Sequence, residues 1–180
     1  MNGTHAPTVL AIAGNPRPGS RTQGLARTLA SELAAVLDGT MADEVDLAAL
    51  GPKVLDYDDP LAAAAAARTL DADVLVISSP TYKATYSGLL KAFLDRIGTG
   101  ALAGAAAIPI LLGGAPNHML AVDVHFTPLL IELGAVVPAG GLFVLESDVE
   151  SFPAFAATWA RERRELLAGA VAARRATTAA

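Results

Sequence analysis

The sequence predicts a doubly wound α/β fold, a five-stranded parallel sheet between two layers of helices. Three observations carry that expectation. Short apolar runs alternate with helical periodicities along the 180 residues, which is the pattern of repeated strand–helix units. The runs are continuously apolar, as strands covered on both faces require. Gly, Pro and capping residues stand where strands give way to helices.

The elements follow in order. Thr8 to Ala13, TVLAIA, reads as a buried strand ended by Gly14. A helix follows, with Thr22 as its cap, Leu25, Leu29, Leu33 and Val36 or Leu37 at helical spacing, and Gly39 as its stop. ADEVDLAAL is a weak second strand. DPLAAAAAARTLDAD is an Ala-rich helix that starts at Asp59 with Pro60 in its first turn. DVLVISS is the clearest strand. Ser87 to Ile97 set Leu89, Leu90, Phe93, Leu94 and Ile97 on one helical face. AAAIPILLGG is the fourth strand, although Pro109 inside it should mark an edge or a bulge. NHMLAVDVHFTPLLIELG is a fourth helix, AVVPAGGLFVL a fifth strand, and one long helix runs from Val149 to about Ala173 before a frayed tail after about residue 174.

Five such strands favour the flavodoxin-like order 2-1-3-4-5, a three-layer α/β/α arrangement of one domain over residues 1–180. In that order ligands sit beyond the carboxyl ends of the strands, at the switch between the first and third. Function is therefore expected in the loops after Ala13 and Ser79.

Composition removes several classes of function. The formal net charge is −5, and the only basic clusters are RERR at 161–164, which reads as a solvated face of the last helix, and RR near the C-terminus. Nucleic acid is not an expected partner. Cysteine is absent, so disulfides, thiolate metal sites and a thiol nucleophile are excluded. The longest apolar stretches are broken by Gly and Pro short of a span of roughly 18–20 residues, and no basic segment precedes the first apolar run. No membrane association is expected, and the expected location is the cytoplasm. His5, His118 and His125 lie on separate elements without metal-ligand spacing, so no metal is expected.

The first loop, GNPRPGS, has neither a dinucleotide nor a triphosphate signature. It does bring Arg17, Ser20, Arg21, Thr22 and Gln23 to a helix start, where free N–H groups and the helix dipole favour an anion such as a phosphate monoester. Pro16 and Pro18 stiffen it. An ordinary capped turn with both arginines in solvent is the competing reading. In the second loop, PTYKATY, Pro80 and Thr81 leave room for a flat ring that Tyr82 or Tyr86 frames. Gly113 and Gly114 end the fourth strand beside the same crevice and let backbone approach a ring edge. Each loop alone also fits surface aromatics or a simple turn; together the three describe a site for flavin mononucleotide.

GNPRPGSRT, SSPTYKATYSGLLKAFLD and GGAPNHMLAVDVHFTPLL resemble the NAD(P)H-dependent FMN reductase family, and within it the reductase components of two-component alkanesulfonate monooxygenase systems. The likeness runs from about Val9 to Val144. It implies a flavodoxin-like fold, FMN with NADPH or NADH, hydride transfer to flavin N5, and supply of reduced FMN to a partner monooxygenase that frees sulfite. It implies that Arg17, Ser20, Arg21, Thr22 and Gln23 hold the phosphate, and that Pro80, Thr81, Tyr82 and Lys83 hold the isoalloxazine, with Ser87 nearby and Gly113–Gly114 along the ring edge. Asn15 stands where relatives usually carry Ser. It further implies that the helix over residues 118–133 lies at a subunit interface beside the flavin, where Val124, His125 or Phe126 faces the ring. Pro128 predicts a kink or bulge in that helix.

The apolar positions Met119, Val122, Phe126, Leu129, Leu130 and Leu133 exceed what one sheet needs, so a homodimer or homotetramer through this helix is expected. No acid, base or nucleophile constellation is visible, and the chemistry would be the cofactor's. Two other functions share the fold: an FMN-bound quinone, azo or chromate reductase, and a flavodoxin-type electron carrier.

Overall fold

The computed structural model describes residues 6–178; His5 lies outside them. β1 (Thr8–Ala13) is buried from Val9 onward. Its side chains alternate between two apolar layers, Leu10 and Ile12 on one face and Val9 and Ala11 on the other. The second of these layers is covered by α1 (Arg21–Val36) through Leu25, Leu29 and Leu33, with α6 (Phe152–Glu162) and α7 (Arg164–Thr178) beside it. On the other face lie α2 (Leu47–Leu50), α3 (Pro60–Asp71), α4 (Gly88–Leu94) and α5 (Thr127–Glu132). This is the flavodoxin-like three-layer α/β/α arrangement.

The strands are parallel in the order β2-β1-β4-β5-β6, with β3 also on β1. Here β4 is Val74–Pro80, β5 Ala106–Gly113 and β6 Leu142–Leu145. The expected second strand is two pieces, β2 (Thr40–Met41) on Thr8–Val9 and β3 (Val45–Asp46) on Ile12–Ala13. Six strands therefore fill five places in the order. Residues 47–50 turn helical instead of extending β3, because the Asp46 carboxylate accepts the Ala48 N–H at 3.0 Å and caps α2.

Pro109 sits in the middle of β5, opposite Ile77 of β4, and not at an edge. The ladder explains how it is tolerated. The Ala106 N–H bonds Asp73 on the β4 side and the Ala107 N–H bonds Val136 on the other side. Alternation thus aims position 109 away from β4, just below Ile110↔Leu142 where pairing with β6 begins. No donor is needed there. The fifth strand is correspondingly shorter than expected: Val136 makes one isolated bridge, and the Pro138 to Gly141 stretch separates it from β6.

Three helix expectations change. Ser20, not Thr22, caps α1, its Oγ accepting the Gln23 N–H. Gly39 is required by close approach, since a Cβ there would meet the Pro7 carbonyl oxygen at 2.5 Å, while Asp38 takes the left-handed conformation at φ 52°. The last helix breaks at Arg163, whose guanidinium lies 4.7 Å from the Trp159 ring centre; α7 then continues to Thr178, through residues expected to fray.

Pro128 has the consequence anticipated for it. The turn Val122–Phe126 widens to a π-helix, with the Thr127 N–H reaching back to Val122. Most of the apolar face expected at a subunit interface is spent on the core: Val122, Phe126, Leu130 and Leu133 are buried. The outward apolar residues are Met119, Leu120, Val124 and Ile131. Among the described residues no helix is long and apolar enough to cross a membrane.

Candidate functional site

A cleft of about 430 Å³ opens at the carboxyl ends of β1, β4 and β5. Asn15 and the stretch 17–21 form one wall, Pro80 to Tyr82 a second, and Leu112 to Gly114 a third, with Glu146 closing the rim. The first wall is built by Asn15. Its buried amide accepts the Arg17 N–H at 2.9 Å and donates to Thr22 Oγ1 at 3.1 Å, folding the loop back on the helix start. Gly19 turns the chain at φ +63°. Ser20 then caps α1, leaving the N–H groups of Arg21 and Thr22 without an intrahelical acceptor, as at any helix start. The Arg17 guanidinium is exposed and finds no side-chain partner among the described residues.

The second wall is held from below. The Ser87 Oγ donates to the Gly14 carbonyl and accepts the Leu90 N–H at 3.1 Å, while the Ser87 N–H donates to Ser79 Oγ at 2.8 Å. These bonds tie the start of α4 to the ends of both central strands. Thr81 donates its N–H to the Leu112 carbonyl at 2.8 Å, but its Oγ1 is buried without a hydrogen-bond partner. Thr81 lines the cleft, so a turn of its side chain would bring this orphaned hydroxyl to a ligand with a polar edge. Tyr82 and Thr85 exchange backbone bonds of 2.8 and 3.2 Å around Lys83 and Ala84, at φ 51° and 64°. Such a two-residue turn normally carries Asn or Gly, so both residues sit in a costly conformation.

On the third wall Gly113 lies close under Phe143: a Cβ there would come within 2.3 Å of the ring tip, so the ring would have to move. Gly114 faces open space.

The cleft gathers Arg17, Ser20, Arg21, Pro80, Thr81, Tyr82, Gly113 and Gly114 from the expected set. It does not gather four others, for visible reasons. Thr22 is buried beneath the loop, holding Asn15 and Ser20. Gln23 turns to Glu44 at 2.7 Å, where Arg27 also binds and holds the Glu44 carboxyl below its usual range through its hydrogen bonds. Lys83 stands outside on the turn, and Ser87 lies under the wall. Of the three candidates in the π-turn, Val124 and His125 are exposed, whereas Phe126 is buried with its ring centre 5.3 Å from that of Tyr86. Neither His125 nor His118 lines the cleft.

Glu146 was not anticipated as a site residue. Its signal was its position, the first residue after the last strand on the carboxyl edge. Its Oε1 accepts from Arg21 Nη2 at 2.7 Å.

Two guanidiniums and a helix start at one end, with backbone, an orphaned hydroxyl and an aromatic rim at the other, fit a planar group that carries a phosphate. Residues 7–150 match the family model described as NADPH-dependent FMN reductase. The chain is 33% identical over 144 residues to an FMN reductase (NADPH) of Escherichia coli (strain K12), covering 78% of this chain and 74% of that protein. It is 30% identical over 156 residues to an NADH-dependent FMN reductase, SfnF, of Pseudomonas fluorescens (strain Pf0-1), covering 80% and 79%. Among solved structures it superposes on an NADH:FMN oxidoreductase in its apo form with a TM-score of 0.76 and 35% identity, covering 87% of this chain and 89% of that one. By its sheet order, its cleft and these matches, the chain belongs to the NADPH-dependent FMN reductase family.

Proposed function

We propose that the protein is an NAD(P)H-dependent FMN reductase whose flavin site is the cleft between the three strand-end loops. The observation that carries this reading is the pairing in one cleft of a bare Arg17 at a helix start with the orphaned Thr81 hydroxyl on the facing wall. When bound, the flavin supplies the redox chemistry, taking a hydride at N5 from NADPH or NADH.

The chain's own residues bind and orient. Arg17, Ser20 and Arg21, with the N–H groups of Arg21 and Thr22, take the phosphate. Pro80 and Thr81 present backbone and hydroxyl to the ring, Tyr82 rims it, and Gly113–Gly114 admit its edge. Thr22, Gln23, Lys83 and Ser87 act behind these, holding the loops rather than the ligand. The carboxylate on the cleft wall is already paired with Arg21, so no general base stands ready and none is needed.

Reduced FMN then leaves for a partner monooxygenase, in keeping with the motif resemblance to reductases of sulfonate sulfur assimilation. The exposure of residues 16–19 and Arg21 along the phosphate side of the cleft supports exchange with solvent. Assembly as a homodimer or homotetramer uses the 118–133 segment through Leu120, Val124 and Ile131, which point away from the core.

The test is oxidation of NADPH and NADH by the purified protein with and without added FMN. The expected result is a rate that appears with FMN and saturates in it. A rate that needs no added flavin would make FMN a bound group and favour quinone or azo acceptors; no oxidation under any condition would leave the carrier.

A further inference from the structure

Among the described residues Glu146 is the one carboxylate on the cleft wall, and the backbone fixes its place. β6 pairs with β5 up to Gly113↔Leu145, so the next residue opens a short 3₁₀ turn beside Gly114. From there its side chain spans the mouth of the cleft to Arg21, on the wall formed by the first loop. The two cations of the cleft are thus unequal. Arg17 faces the opening bare, whereas Arg21 already has a counter-ion supplied by the protein.

We infer that Glu146 sets the affinity and phosphate selectivity of the site by competing with the flavin phosphate for Arg21. The inference rests on the flavin reading given above. A phosphate monoester entering the cleft gains Arg21 only as Glu146 gives it up, so one ion pair is exchanged for another. Both side chains of the present pair are about half exposed, at 54% and 48%. The pair therefore opens readily, and the released carboxylate is rehydrated where it stands. Its negative charge nevertheless stays on the cleft rim and opposes the incoming dianion. A flavin without a phosphate exchanges nothing and does not sense Glu146. Glu146 is a positioning and selectivity residue and touches no reacting atom. Its presence keeps FMN exchangeable in a cleft with two arginines, as release of reduced flavin requires.

The experiment is titration of FMN and of riboflavin into the unaltered protein and into Glu146→Gln, followed by flavin fluorescence at low and at high salt. Loss of the carboxylate should tighten FMN by about fivefold at low salt, leave riboflavin unchanged, and give a gain that fades as salt rises. In an Arg21→Ala background the same substitution should give little or no gain. Equal FMN affinity in both proteins, an equal gain for riboflavin, or a full gain without Arg21 overturns the inference. If the unaltered protein binds neither flavin, the flavin site falls and this inference with it. FMN binding without a selective gain sinks this inference alone.

Discussion

The two ends of the sheet treat charge in opposite ways. At the amino end, the Asp73 carboxylate accepts the Thr8 N–H at 2.9 Å and two bonds from the Arg175 guanidinium, at 2.7 and 3.3 Å. Arg175 also reaches the Ala6 carbonyl, and Arg174 beside it donates to the Leu70 and Ala72 carbonyls. At the carboxyl end, Arg17 is bare, Thr81 Oγ1 is buried and unpaired, and Lys83 and Ala84 hold left-handed backbone. The first end ties α7 to the strands β1 and β4; the second holds polar groups ready for something the chain does not supply. The amino end buries its charge in a network that ties the fold together, whereas the carboxyl end leaves Arg17 bare among the described residues and gives Arg21 only a half-exposed partner.

That contrast breaks most visibly at Asp73. Burial by itself would raise its carboxyl pKa, but the Arg175 hydrogen bonds, the Thr8 N–H and the two arginine charges outweigh burial and hold it below the ordinary value. A depressed carboxyl contributes stability that is present above its unfolded value, about pH 3.9, and is lost as pH falls through the folded value. Asp73→Ala should therefore cost about 1–3 kcal/mol at neutral pH, and the loss should shrink as the pH is lowered below about 4. Urea unfolding of both proteins across that range checks it, and flavin binding should not change. A variant equally destabilised at every pH would detach the effect from the charge.

At the other end the expectation reverses. Arg17→Ala should leave the thermal midpoint where it is and weaken FMN about tenfold, near 1.4 kcal/mol, with riboflavin little affected. Equal losses for both flavins would move the phosphate away from this loop.

The carboxyl end was the more legible of the two. Gly, Pro and Arg punctuation after β1, β4 and β5 announced the three loops, because ligand-facing loops need special backbone and exposed donors that short-range patterns carry. The amino end was not legible: RR near the C-terminus stood out only as one of two basic clusters, although Arg175 meets Asp73 across 102 residues. Nothing local in either segment encodes that meeting. The same limit separates the expected side chains that line the cleft from those that do not. Gln23 is two residues from Arg21 in sequence, yet Glu44 draws it aside, and only the folded packing of β3 against β1 brings that partner into reach. Pro109 misled for a related reason, since a central strand tolerates proline in the gap between the Val136 bridge and the start of β6.

The smallest effect sharpens the comparison from within the open end. Ala84 sits at φ 64° in the two-residue turn that carries Tyr82. A left-handed alanine costs about 1–2 kcal/mol. Glycine removes that cost but gives back roughly 0.5–1 kcal/mol through a more flexible unfolded chain. Ala84→Gly should therefore stabilise the protein by about 0.5 kcal/mol, a rise of a degree or two in thermal midpoint. FMN binding should not improve with it, because the turn then holds Tyr82 in place less firmly. A variant that gained stability and affinity together would mean that the strain opposes the ligand, whereas stability without affinity would mean that it positions the aromatic rim. Destabilisation by glycine would show that the turn is not left-handed at residue 84, and that the carboxyl end is no more strained than the end closed by Asp73.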